Sequence, residues 1–380
     1  MPQRNEALIF ADSHITSGRL EYDSYYGFEQ VCQMAVDLKC TWLIGLGDLF
    51  DKRINSPAPI AFAKRMLDWV AKNGVNFGYI QGQHEGDDTP WMSLGTNAKH
   101  LHKQTIRFSG KLLAYGLDFL PRGQLQEELD NVPPEANILF THQSWADWMG
   151  DITLPQGEFA DITADPLKHL ISGDFHETVC DEEANGKDGG EFFAWSPGST
   201  YLTAVNHPKD KFCFLLKSGG GIVSKPLKSR IYAEWNIDTE EALECHLKEL
   251  EDNLGKMEAH AKELDLPEAI SRPMIRIVHS HKVSDIVRRL GRIIDDRAIL
   301  RWKEKPRPKE QSELAAKARR MQEGGTKAIT LRKALPECVD STKQKKVFEL
   351  SQRMLDAGDT KEEIEQAARA WLKEQTDESS

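Results

Sequence analysis

The chain has 380 residues, of which 39% are hydrophobic and 29% charged, and a formal net charge of −11. That is enough for two or three domains of ordinary globular composition. No apolar run approaches the roughly 18–20 residues of a membrane span, the start "MPQRNEALIFADSH" has no signal-peptide core, and the six cysteines form no CxxC pair, so a cytoplasmic protein with reduced thiols is expected, without membrane, disulfide framework or zinc knuckle.

In chain order, the first 215 residues alternate short buried runs with longer amphipathic segments. "ALIFAD" (7–12) reads as a buried strand, followed by a helix from about Tyr25 to Lys39. "TWLIGLGD" (41–48) is the next strand, and "IAFAKRMLDWVAKNG" (60–74) a helix closed by Gly74. "NFGYIQGQHE" (76–85), "NILFTHQSW" (137–145) and "HLISGDFHE" (169–177) repeat the design, each an apolar strand running out into small and metal-capable residues. Such alternation predicts an α/β layered core with a mainly parallel or mixed sheet, in which ligands collect at the carboxyl ends of the strands.

"EFFAWSPGSTYLTA" (191–204) and "KFCFLLKSGGGIVSKPLKS" (211–229) read as antiparallel strands, the last two joined by a Gly-rich turn. After "AEWNID" the texture changes. A charged helix (239–264), a strand (272–280), a helix (282–294) and a strand (297–306) make a small second domain, an α-β-α-β unit over 233–306. Residues 307–340 read as a basic linker, and 341–375 as two short amphipathic helices broken at "AGDT". The acidic total argues against nucleic acid as a partner, but residues 301–350 carry 14 basic against 7 acidic side chains, so global charge decides little.

Five strand ends carry the chemistry: "ADSH" (11–14), "GDLFD" (47–51), "GQHE" (82–85), "THQS" (141–144) and "GDFH" (173–176). One Asp-x-His alone is more often a turn than a ligand. Five such ends in order, each behind a buried strand, point to a pair of divalent ions held by carboxylate, imidazole and amide groups. Two such ions would polarise a phosphoryl oxygen and activate a water between them, with a nearby free imidazole protonating the leaving oxygen.

With these residues in hand, the chain resembles the calcineurin-like metallophosphoesterases over about residues 7–225, through the ordered set D-x-H, G-D-x-x-D, G-N-H-[DE], H and G-H-x-H. The resemblance implies a four-layer α/β sandwich core flanked by helices. It implies Asp12, His14 and His176 on a first metal, Asp48 as bridge, Gln83, His142 and Asp174 on a second, and His84 as the unligated acid. Gln83 and Asp174 depart from the family's Asn and His, yet both keep a ligand atom. An added carboxylate hardens the site, favouring Mn²⁺ or Mg²⁺ over Zn²⁺, with Mn²⁺ foremost.

Within that group, "GDLFDKRINSPAPIAFAKRMLDWV", "GQHEGDDTPWMSL" and "SPGSTYL" are similar to the SbcD-type nuclease subunit of the SbcCD DNA-repair complex. By position, residues 233–306 would be its DNA-capping domain and 341–380 its docking motif for an SbcC-type ATPase. DNA as substrate and a homodimer are then expected. Two other readings share the metal ligands or the fold: a small-molecule phosphodiesterase or phosphatase, and a non-catalytic scaffold that docks an ATPase.

Overall fold

A computed structural model of the chain describes residues 5–304, apart from 19, 54, 86–96, 110–111, 150–154, 204–209, 238, 280–289, 291–293 and 295–296. The expected linker (307–340), the helices at 341–375 and most of the helix at 282–294 lie outside the described residues.

The first sheet is built on four parallel strands, β1 (Asn5–Phe10), β2 (Cys40–Leu46), β3 (Asn76–Ile80) and β4 (Ala98–His100). An antiparallel hairpin, β11 (Lys211–Leu216) and β12 (Ile222–Leu227), extends it beyond β1 and turns through the expected glycine-rich loop. In the second sheet, β6 (Leu113–Gly116), β7 (Ile138–His142), β8 (His169–Gly173) and β10 (Glu191–Ser196) run parallel. Its two edges, β5 (Gln104–Arg107) and β9 (Val179–Asn185), are antiparallel to their neighbours. Segments 191–204 and 211–229 therefore lie in different sheets and do not pair with each other. The reason is connectivity: β10 continues the parallel set beside β8, while β11 returns to pair with β1.

Alternation along the strands makes the layers. In β1, Ala7 and Ile9 face the second sheet and meet Ile138, Phe140 and Ile171 in one apolar cluster. Leu8 and Phe10 face the other way, against Phe28, Val31, Phe62 and Leu67 of α1 (Glu21–Asp37) and α2 (Pro57–Lys72). The outer face of the second sheet is covered by α3 (Arg122–Asp130), α4 (Ala146–Met149) and the turn at Phe159–Asp161, with Trp145 and Phe192 fully buried between. The expected four layers, helix, sheet, sheet and helix, are present. Gly74 closes α2 as expected: at φ +78° it lets the Gly74 and Val75 amides bond back to Ala71 and Val70.

Helix α1 begins four residues before the expected Tyr25. Its first turn is polar because Asp23 and Ser24 turn inward to polar partners. Asp23 receives a bidentate pair from Arg230 (Nε 2.7 Å, Nη2 2.8 Å), and both residues are buried. Arg230 also donates to the carbonyls of Ala269 (3.1 Å), within α6 (Glu268–Ser271), and of Arg272 (2.7 Å), just after it, fastening α1 to that helix and its end. Arg230→Met leaves the Asp23 carboxylate buried without its cation and is expected to cost about 3–5 kcal/mol of stability. Urea denaturation measures it, and an unshifted midpoint would show that the pair contributes nothing.

Beyond Arg230 lies a third sheet of three parallel strands, β13 (Tyr232–Ile237), β14 (Met274–His279) and β15 (Ile299–Glu304). The unit thus opens with a strand, "YAEWNI", ahead of the expected helix. That helix, α5 (Glu240–Glu263), is capped by the Thr239 side chain, which accepts from the Ala242 amide (3.2 Å). Leu250 and Leu254 of α5 pack on Trp235, Ile275 and Ile277. Among the described residues, no helix is long and apolar enough to cross a membrane.

Candidate metal centre

All five singled-out strand ends converge, because β1, β2 and β3 in one sheet and β7 and β8 in the other deliver their carboxyl ends to the same edge of the sandwich. Backbone pairing continues past the strands: Asp12 N–H donates to Gly47 O (3.2 Å) and His14 N–H to Asp48 O (2.9 Å). The chain then bends sharply. Asp12 (φ +50°), His14 (+38°), Asp48 (+49°) and Asp174 (+74°) all adopt the left-handed conformation, uncommon for residues other than glycine. Gly82 is required beside them, since a Cβ there would run into the Asp48 carboxylate.

The side chains meet in overlapping groups, each with ligand atoms within 4.8 Å of one another: Asp12, His14 and His176; Asp12, Asp48 and His142; His14, Asp51 and His84. His14 Nε2 lies 3.1 Å from His176 Nε2, and His176 Nε2 is 3.4 Å from Asp12 Oδ1. Asp48 Oδ2 lies 3.5 Å from His142 Nε2 and 3.8 Å from both His14 Nε2 and His84 Nε2. Asp174 is 3.9 Å from His142 Nε2 through Oδ1, which also accepts from Gln83 Nε2 (2.5 Å). His84 stands at the rim, its side chain 38% exposed, with Nδ1 2.6 Å from Asp51 O.

Asp12, Asp48 and His142 have no exposure at all. Asp12 Oδ1, Asp48 Oδ2, Gln83 Oε1 and His142 Nε2 are buried with no hydrogen-bond partner among the described residues. Buried polar atoms of this kind are paired or coordinate a metal. Oxygen and imidazole donors without sulfur suit a hard or borderline divalent ion, so the residues fit the group the sequence implied.

The charges set one another's protonation. Burial would raise the Asp12 and Asp48 carboxyls, but the imidazoles beside them, His176 first for Asp12 and His142 first for Asp48, hold both below the ordinary value. Burial would lower His142 and His176, and the carboxylates outweigh it, holding both above the ordinary value. For His14 burial wins and the imidazole is held low. An ion entering here displaces protons from imidazole, so uptake releases acid and affinity rises with pH. Titrating a metal salt into unbuffered protein reads this directly, and an unchanged pH would contradict it.

Several residues of the centre escaped the sequence reading. Glu85 is buried and accepts from the backbone amides of Asp48 (2.8 Å), Phe50 (3.1 Å) and Gly82 (2.8 Å), clamping two ligand loops together. Burial, and then the Asp48 charge, push its carboxyl up to about 7. Its signal was the fourth letter of "GQHE". Asp51, the last letter of "GDLFD", approaches His14 Nδ1 to 3.9 Å. The segment "SPGSTYL" braces the ligand loops: Tyr201 Oη donates to His14 O (3.1 Å) and Thr200 Oγ1 to Ser13 Oγ (3.3 Å).

Beneath it, buried Lys211 donates to Ser199 Oγ (2.9 Å). Burial pulls its ammonium down to about 8, against the opposing pull of Asp12 and Glu177. A lysine whose pKa is lower in the folded than in the unfolded chain makes stability rise with pH between those two values. Metal-free protein is therefore expected to gain about 1.4 kcal/mol per pH unit above pH 8, levelling off near the ordinary lysine value. Lys211→Met should flatten that slope in denaturation curves, and a slope that survives the substitution would assign it elsewhere.

No protein-family model matches the chain. It is similar to the DNA double-strand break repair protein Mre11 of Methanosarcina mazei, 23% identical over 296 residues, covering 71% of this chain and 45% of that protein. The protein of the same name from Methanosarcina acetivorans is 25% identical over 291 residues, 67% of this chain and 45% of that protein. The chain thus spans less than half the length of these curated relatives, and with them it shares homology at low identity.

Proposed function

We propose that the protein is a divalent-metal-dependent phosphodiesterase that cleaves DNA, the nuclease subunit of a repair or recombination assembly that includes an SbcC-type ATPase. The observation that carries this reading is the set of buried donor atoms without hydrogen bonds: Asp12 Oδ1, Asp48 Oδ2, Gln83 Oε1 and His142 Nε2. In this reading Asp12, His14 and His176 hold one ion, Gln83 and His142 with Asp174 a second, and Asp48 lies between them. Bound there, two divalent ions, Mn²⁺ before Mg²⁺, would polarise a phosphoryl oxygen and offset the charge that develops on it.

The chain's own part is orientation and proton transfer. His142 Nδ1–H donates to Leu46 O (2.6 Å), which fixes the tautomer and presents the Nε2 lone pair inward. His84 is oriented by Asp51 O, to which its Nδ1–H donates (2.6 Å), and as the imidazolium it would carry a second proton on Nε2 at the rim, the one it would pass to the departing oxygen. Two relatives named for DNA double-strand break repair support DNA as the substrate. The basic excess over 301–350 supports it too, since lysine and arginine pair with phosphates. We further assign residues 1–232 to the nuclease domain, 233–306 to a capping domain, and 341–380, through the linker at 307–340, to ATPase binding in a homodimer.

The test offers purified full-length protein with Mn²⁺ to linear duplex DNA, single-stranded DNA and bis-p-nitrophenyl phosphate. DNA degradation with weak turnover of the small ester is the expected result. Turnover of the small ester alone would assign a small-molecule phosphodiesterase, and inactivity on all three a scaffold. Either overturns the nuclease reading.

A further inference from the structure

The two positions that depart from the metallophosphoesterase pattern, Gln83 and Asp174, are hydrogen-bonded to each other. Gln83 Nε2 donates to Asp174 Oδ1 (2.5 Å), although 91 residues separate them. The other oxygen of the same carboxylate, Oδ2, accepts from the Ser144 hydroxyl. Ser144 is itself anchored, its amide donating to Gln156 Oε1 (2.8 Å). The Asp174 amide in turn donates to Asp12 Oδ2 (3.2 Å), tying the carboxylate's backbone to the centre. Each oxygen of Asp174 thus has a donor, and the carboxylate is pinned at both ends.

The consequence falls on Gln83. A primary amide has two ends of nearly equal size, one that only donates and one that only accepts. A carboxylate only accepts, so Asp174 can hold the Nε2 end alone, and a charged acceptor holds it about twice as strongly as a neutral one. The Oε1 end must then point away from Asp174. It is buried, without a hydrogen-bond partner among the described residues, as is the Nε2 atom of His142, which lies 3.9 Å from Asp174 Oδ1. With the amide turned the other way, two N–H groups would face the space where a cation is to bind.

We propose that Asp174 and Ser144 are positioning residues: Asp174, held by Ser144, turns the Gln83 amide so that its oxygen becomes a donor for the second ion. This rests on the two-ion reading above and changes one assignment in it, since Asp174 acts on the second ion through Gln83. It also accounts for the extra methylene of glutamine, whose amide reaches a carboxylate at 174 while its oxygen stays free.

The test measures Mn²⁺ binding to the full-length chain by titration calorimetry, with metal-free thermal midpoints to show that each variant folds. Asp174→Asn removes the charge but keeps an acceptor oxygen for Gln83, and asparagine tolerates the left-handed backbone (φ +74°). Its second ion is expected to bind at roughly wild-type strength. Asp174→Gly takes that φ without strain and removes the acceptor, so its second ion should weaken about 10–100-fold, the usual effect of losing a partner that orients a ligand. Adding Gln83→Glu to Asp174→Gly should restore binding, because both ends of a carboxylate accept and none needs orienting. A structural role alone would not be rescued from position 83. Equal losses in Asp174→Asn and Asp174→Gly, with two ions in the wild type, would overturn the positioning role and make Asp174 a direct ligand. A wild type that takes up one ion would overturn the two-ion reading itself, and this proposal with it.

Discussion

Asp48→Ala protein is expected to retain neither ion. Asp48 is fully buried, and its Oδ2 faces the Nε2 atoms of His142, His14 and His84 at 3.5–3.8 Å. It therefore stands between the group that would hold the first ion and the group that would hold the second. Its other oxygen, Oδ1, accepts from the His84 amide (3.0 Å), so the same side chain also positions the loop that carries the proposed acid. Alanine at 48 removes the shared carboxylate and leaves buried imidazoles facing one another. The chemistry that ions supply is worth several kcal/mol, and about 1.4 kcal/mol is a factor of ten in rate, so activity should fall on the order of 10³–10⁴-fold. Elemental analysis of the purified variant and its turnover of DNA read both effects. One tightly held ion in that variant would remove Asp48 from its place between the two.

His84→Ala separates proton transfer from binding. The His84 ring lies at the rim, held by Asp51 O, and its Nε2 approaches Asp48 Oδ2 only to 3.8 Å. The variant should keep its ions and its affinity for DNA while the catalysed rate drops about 10²–10⁴-fold, the range for a positioned general acid. A substrate whose leaving group needs no proton, such as a p-nitrophenyl ester, should lose much less. If the variant loses an ion, His84 is a ligand and the acid must be sought elsewhere.

The strands that carry the centre were readable because each is a buried run of five to seven residues that ends abruptly in small and polar ones. Strands β4, β5 and β9 were not readable. They are edge strands with mostly exposed or half-exposed side chains, so period and hydrophobicity fade together. The strand β6 is buried but only four residues long. The same division runs through the site. Asp12, Asp48 and His142 sit where a strand ends, a local signal. Glu85, Ser144 and Lys211 act through partners met only after folding: Glu85 clamps an amide 37 residues away, and Ser144 a carboxylate 30 residues away. The early start of α1 has the same origin, since Asp23 turns inward for an arginine 207 residues further on.

The four left-handed residues of the centre also bear on how this chain would change over generations. At Asp12, His14, Asp48 and Asp174 the backbone takes a conformation that suits glycine better than the residue present. Strain of this kind costs about 1–3 kcal/mol per site and persists where function requires it. In a lineage released from the need to bind ions, nothing would offset that backbone strain, so these positions would be free to drift. Retention of all four then marks continued selection for the chemistry.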